Sequence, residues 1–222
     1  MNHPLTLARL WWPHVNFYNL QRDLLDSVVE NRETVVVSAN MMGKDFSVAC
    51  VVLMFFMCPQ MFFSRQYVMQ VEEEFQRMQR VMNRTLPSHM GHTRRIVTTS
   101  VEERHLGALW GEMGRYIDLC QRPLLESRGG PLVVNDLDIR FVAEREVKRP
   151  INWIKGLTAD KPESYQGFHA SYTLAVANEA SGVSDGVIKM MRTWSKKEIY
   201  IGNPRECDNY FRHAIKQGDL AA

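Results

Sequence analysis

The chain has 222 residues, with 27 basic and 25 acidic side chains and a net charge of +2. That length suits one large α/β domain with a substantial core or two small ones, and 45% hydrophobic against 23% charged residues is globular composition. The near-neutral balance excludes a protein held on nucleic acid by bulk charge and leaves only a local basic face for phosphate.

Met1–Arg9 lacks a charged start followed by an apolar core, so no signal peptide is visible. Phe17, Leu20, Leu24, Leu25 and Val28 recur at helical spacing and predict a helix from about Asn16 to Glu30. Thr34–Val37 is β-branched and predicts a strand covered on both faces. The apolar helix expected over Gly43–Met57 is too short for a membrane span, which needs about 20 residues. An amphipathic helix is expected over Phe63–Leu86, with Tyr67, Val71, Phe75, Met78 and Met82 on one stripe, either a packing face or a partner groove.

A strand at Ile96–Thr99 runs into Ser100. With Glu103 three residues on, Ser100 has the pattern of a capping-box N-cap for a helix to Leu119. Short strands are expected at Leu132–Asn135, Ile139–Val142, Ile151–Leu157, Tyr172–Ala177 and Ile199–Ile201. Strands alternating with helices after a β–loop–α start predict an α/β fold with a mostly parallel sheet. Cys50, Cys58, Cys120 and Cys207 are widely spaced and form no CxxC pair, so reduced thiols are expected, not a disulfide or zinc framework.

A phosphate-binding turn needs a buried strand, a run of inward-facing backbone N–H groups and a lysine at the start of the next helix. Ser38, Ala39, Asn40, Met41, Met42, Gly43, Lys44, Asp45 and Phe46 follow the Val35–Val37 strand with that layout. Ser38 stands where the common form has Gly, and Asp45 where it has Ser or Thr. The bland alternative is a strand-to-helix turn with a surface lysine. Tyr172–Glu179 is an apolar strand ending in Asn178 and Glu179, the place where P-loop ATPases carry an Asp and a water-polarising Glu. Glu179 either takes that role or caps a turn. Asn203, in Gly202-Asn203-Pro204, either senses the γ-phosphate or belongs to an ordinary turn. Gln21, beside Tyr18, either reads an adenine edge, with the ring stacking on the base, or is an exposed helical glutamine.

Taken in order, Tyr18–Gln21, Ser38–Phe46, Thr98-Thr99-Ser100, Leu109-Trp110-Gly111-Glu112, Tyr165–His169, Asn178–Val183 and Ile201–Pro204 resemble the N-terminal ATPase domain of phage terminase large subunits. The resemblance implies a three-layer P-loop NTPase fold of the ASCE type, with a mostly parallel central sheet flanked by helices. It makes residues 1–33 an adenine-side segment and 205–222 the start of a linker. It implies ATP and Mg²⁺ as ligands, with Lys44 on the phosphates, Glu179 activating water, Asn203 coupling hydrolysis to movement, and Asp45 and Asn178 on the metal side. It further implies dsDNA, a portal protein and a small terminase subunit as partners, a homo-pentamer on the capsid, and action in the host cytoplasm without a membrane.

The family carries a nuclease after the motor. These residues end about 18 past the Gly-Asn-Pro turn, so no cleavage is expected from them. The family also uses an arginine against charge on the transferred phosphate. Arg122, Arg128 and Arg149 are candidates, and Arg94-Arg95, Arg145 with Lys148-Arg149, and Lys196-Lys197 are the basic clusters.

Asp45 and Asn178 depart from the pattern in opposite directions and leave the formal charge at the metal unchanged. Either the two have exchanged roles, or Asn178 is an inactivating change. The rival functions are a nucleotide-binding, hydrolysis-deficient assembly scaffold and a helicase-like translocase.

Overall fold

The structure, a computed structural model, describes residues 3–37, 43–83, 92–158, 161–203 and 207–221, the last four of these by backbone only. Two helices open the chain, α1 (Pro4–Trp11) and α2 (Asn19–Glu30), followed by β1 (Glu33–Val37) and α3 (Lys44–Met57). Next come α4 (Arg65–Met82), β2 (Arg94–Ser100) and α5 (Glu103–Leu119). The second half contains β3 (Leu132–Asn135), β4 (Asp138–Phe141), β5 (Trp153–Thr158), β6 (Tyr172–Asn178), α6 (Asp185–Arg192), β7 (Lys197–Gly202) and α7 (Tyr210–Ala221).

One seven-stranded sheet runs β1-β7-β6-β2-β5-β4-β3. The first five strands in that order are parallel, and β3 and β4 add an antiparallel edge. Parallel strands covered on both faces need apolar residues at every position, and β6 and β7 are buried throughout. Side chains of β6 alternate: Leu174 and Val176 enter the core under α2, α3 and α5, while Ala175 and Ala177 face α6 and α7. Two helical layers around a sheet make the three-layer α/β architecture.

Helix α3 is apolar on all sides because it is buried on all sides: Val48 through Phe56 have no exposed surface. It starts at Lys44 after Gly43, whose φ of 73° lies in the left-handed region that glycine occupies without a Cβ penalty. Its last carbonyls, on Phe56 and Met57, accept from Arg94 Nη1 at 2.8 and 3.1 Å. The end of α2 is held likewise, Lys197 Nζ donating to Val29 O and Asn31 O at 2.8 and 2.6 Å. These two members of the basic clusters are therefore interior braces instead of solvated charges.

Three sequence expectations change. Ser100 is no N-cap: it completes β2, pairing with Thr158, and α5 begins at Glu103 after Glu102. On α4, Val71 and Phe75 are buried, whereas Met78 and Met82 are about half exposed, so the expected stripe packs only over its first half. The final segment holds a docked helix, with Phe211 buried and Tyr210 OH donating to Glu33 Oε2 at 2.7 Å. Ser38–Met42, Pro204 and the end of the expected α4 helix lie outside the described residues.

Candidate functional site

Because β1, β7 and β6 are parallel neighbours, their C-terminal ends open on one edge of the sheet. Lys44 reaches that edge from the first turn of α3, Glu179 follows β6, and Asn203 follows β7. Lys44 Nζ donates to Glu179 Oε1 at 2.8 Å and to Asn203 Oδ1 at 3.2 Å. The Lys44 and Glu179 side chains are 7% and 17% exposed, so the pair sits where screening by water is weak. Three residues far apart in sequence thus share one ammonium group.

Glu179 has φ 52° and ψ 48°, a left-handed conformation that a Cβ disfavours. Its N–H donates to Asn178 Oδ1 at 3.0 Å, which holds the carboxylate at the strand's exit. Backbone strain of this kind concentrates at functional sites.

The amide of Asn178 is a three-way joint. Its Nδ2 donates to Asp45 Oδ1 at 2.9 Å and to His105 O at 3.1 Å, while its Oδ1 accepts from Glu179. The partners fix its orientation, since a carboxylate and a carbonyl only accept and an N–H only donates. Burial pushes the Asp45 carboxyl above the usual range, against the opposing pull of the Lys44 charge and the Asn178 hydrogen bond. The two residues that break the sequence pattern in opposite senses are direct partners.

A cavity of about 480 Å³ lies between α2 and β1 and reaches Lys44, lined among others by Gln21, Leu24, Ser27, Thr34 and Ser47. Its size and mostly apolar lining suit a small-molecule site. Gln21 is buried there. Its Oε1 accepts from Tyr18 N at 3.0 Å, and its Nε2 lies 3.3 Å from the point where a Cβ on Gly43 would stand. Tyr18 is 74% exposed and is not among the cavity's lining residues. The Phe46 ring packs on Tyr116 at 4.6 Å, so the structure gives it a packing role.

Among the described residues no group of three or more His, Cys, Asp or Glu is placed to hold a metal. What this edge offers is two carboxylates, Asp45 and Glu179, beside a lysine. That set fits Mg²⁺, which keeps most of its waters and takes one or two carboxylates together with substrate phosphates.

Helix α5 begins at this edge and ends at the opposite one, where Asp118 pairs with Arg128 at 3.1 Å. Arg149 precedes the start of β5, at that far edge too. Neither is brought to Lys44. Sequence reasoning missed His105, whose carbonyl the Asn178 amide uses, and Asn209. The latter's Nδ2 donates to Ala180 O, Ser181 O and Val183 O at 3.0, 3.1 and 3.0 Å. No residue pattern announces either contact, because both depend on strands meeting across the sheet. Among the described residues no helix is long and apolar enough to cross a membrane.

No protein-family model matches the sequence, and no curated protein matches it. Solved structures do match. The bacteriophage HK97 large terminase aligns with a TM-score of 0.60 at 11% identity, over 99% of this chain and 41% of that one. The Thermus phage P74-26 large terminase ATPase domain aligns with a TM-score of 0.57 at 12% identity, over 96% of this chain and 74% of that one. A point mutant of the same domain gives 0.57 and 12%, over 94% and 72%. The chain therefore spans less than half the length of the HK97 protein. Element order, parallel sheet and coverage agree on one architecture: the chain has the fold of the ATPase domain of phage large terminases.

Proposed function

We propose that this chain is the ATP-hydrolysing motor domain of a DNA-packaging terminase, coupling hydrolysis to movement of dsDNA into a procapsid. The observation that carries the reading is the convergence of Lys44, Glu179 and Asn203 on one edge of a parallel sheet, behind a left-handed glycine and beside the α2–β1 cavity. The base of ATP would occupy that cavity next to Gln21. The phosphates would lie against the start of α3, where unpaired backbone N–H groups and the helix dipole favour an anion.

Lys44 would then exchange Glu179 Oε1 for phosphate oxygens. The freed Glu179 carboxylate is the group able to orient a water and take its proton as it attacks the terminal phosphate. Asn203, released from Lys44 at the same moment, is placed to register the nucleotide's state. Mg²⁺ bound with the nucleotide would neutralise charge on its phosphates.

Partners follow only from the resemblance: dsDNA, portal protein, small terminase subunit and further copies of this chain. Steady-state phosphate release, with and without dsDNA, tests the reading. Release that depends on Lys44 and rises with DNA supports it, and an intact chain that binds no nucleotide removes it.

A second reading, a scaffold that binds ATP without turnover, is favoured by one observation. Asn178 supplies no charge where ATPases carry a carboxylate, and its oxygen is already engaged by Glu179 N–H. Thermal stabilisation by ATP with no phosphate release would decide for it.

A further inference from the structure

Ser100 is fully buried at the end of β2, and its Oγ has no hydrogen-bond partner. A buried hydroxyl without a partner destabilises a fold, and where one persists a missing ligand is among its physical explanations. Its direction follows from strand geometry. Residues two apart share a face, and Thr98 Oγ1 accepts from Trp110 Nε1 of α5 at 2.9 Å, so Ser100 also points to the α5 side. On β6, Asn178 shares that face with Val176 and donates to Asp45 and to His105 O. The register pairs Thr98 with Val176 and Thr99 with Ala177, which brings Ser100 next beside Asn178. The orphan hydroxyl therefore occupies the same corner as the Asp45–Asn178 contact, bounded by β2, β6, the start of α3 and the first turn of α5.

The Asn178 side chain is neutral and its oxygen already accepts from Glu179 N–H, whereas Asp45 carries the carboxylate and only one of its oxygens is engaged by the amide. We propose that Asp45 and Ser100 together face the divalent cation and its waters, and that Asn178 is a positioning residue that holds Asp45 for them. The hydroxyl absent from position 45 of the phosphate loop is then supplied from β2. The proposal rests on the nucleotide-binding reading above. Asn178→Asp then does not repair the site. It sets two carboxylates at hydrogen-bonding distance and deprives His105 O of its donor.

The test uses Mn²⁺ and a non-hydrolysable ATP analogue as probes. Electron paramagnetic resonance reads bound Mn²⁺, analogue affinity in EDTA reads the metal-independent part, and ligand-free thermal unfolding reads the fold. Ser100→Ala should leave the ligand-free Tm equal or higher and the EDTA affinity unchanged, yet weaken Mn²⁺ binding in the ternary complex about tenfold. Asn178→Asp should lower the ligand-free Tm by about 5 °C or more, and adding Asp45→Ser should restore most of it. Wild-type Mn²⁺ affinity in Ser100→Ala, or wild-type stability in Asn178→Asp, overturns the assignment. A wild-type chain that binds no analogue overturns the nucleotide reading and the Ser100 role with it. The ligand-free stability cycle still judges the Asp45–Asn178 pair on its own.

Discussion

On the proposed reading nucleotide competes with Glu179 for Lys44, and that competition has a calculable consequence for Glu179→Gln. Lys44 Nζ donates to Glu179 Oε1 at 2.8 Å, with both side chains largely screened from water. A hydrogen bond to a charged group is worth roughly 1.5–3 kcal/mol, and a largely buried ion pair adds the attraction of the second charge to it. Gln at 179 keeps an acceptor for the charged Lys44 but removes the ion-pair attraction, so the contact weakens by about 1 kcal/mol. Repulsion between the carboxylate and the phosphates disappears too. ATP should bind Glu179→Gln about fivefold more tightly than wild type, while phosphate release falls by about 10²–10⁴, the contribution typical of a general base. Equilibrium binding of a fluorescent ATP derivative and single-turnover phosphate release measure the two effects. Weaker binding combined with turnover within tenfold of wild type would refute both the competition and the base assignment.

Lys44→Ala should abolish the rise in Tm that ATP produces. It should also lower the ligand-free Tm by about 2–4 °C for each kcal/mol lost, because it strands the Glu179 carboxylate, and differential scanning fluorimetry reads both. A Cβ added at Gly202 would stand 2.8 Å from the Phe211 ring. Gly202→Ala should therefore destabilise the fold by about 1–3 kcal/mol in denaturant titration and displace α7. Burial pulls the Lys197 ammonium down to about 8, below its ordinary value of about 10.4. The unfolded chain thus binds more protons between those pH values, so stability must rise with pH across that window and the gain must be lost as pH falls through about 8. Lys197→Met, followed by urea unfolding from pH 7 to 11, should lack this rise, which amounts to roughly 3 kcal/mol in wild type.

Much of this architecture is legible in the chain because burial leaves compositional marks. β6 and β7 are apolar runs of strand length, α3 is apolar on every face, and Gly43-Lys44 follows a strand, so all lie within a few residues of expectation, whereas β1, expected to be covered on both faces, is an edge strand with only Thr34 buried. Lys44, Glu179 and Asn203, named as separate signals, do come together. What failed depended on partners across the sheet. Ser100 with Glu103 has the local chemistry of a capping box, but pairing with β5 keeps Ser100 in the ladder, and tertiary pairing outweighs a cap worth about 1 kcal/mol. Arg94 and Lys197 read as surface charge because a sequence does not show which helix ends they will meet. Phe46 lies beside the site in sequence, yet the helical turn carries its ring round to Tyr116.

The site also differs from a surface cleft in how its parts are joined. Asn178 ties the start of α3, the first turn of α5 and the left-handed Glu179 into one joint at the end of a fully buried strand. One turn further, Asn209 binds three carbonyls of the segment after Glu179 and so fastens that segment to the start of α7. Gly202, just before Asn203, abuts Phe211 of the same helix. The exits of β6 and β7 therefore bear on α7, and they are also the two places where Lys44 is held. A ligand that takes Lys44 from Glu179 and Asn203 relaxes both exits at once. On the proposed reading α7 is the element placed to take up that change, because it packs on both exits.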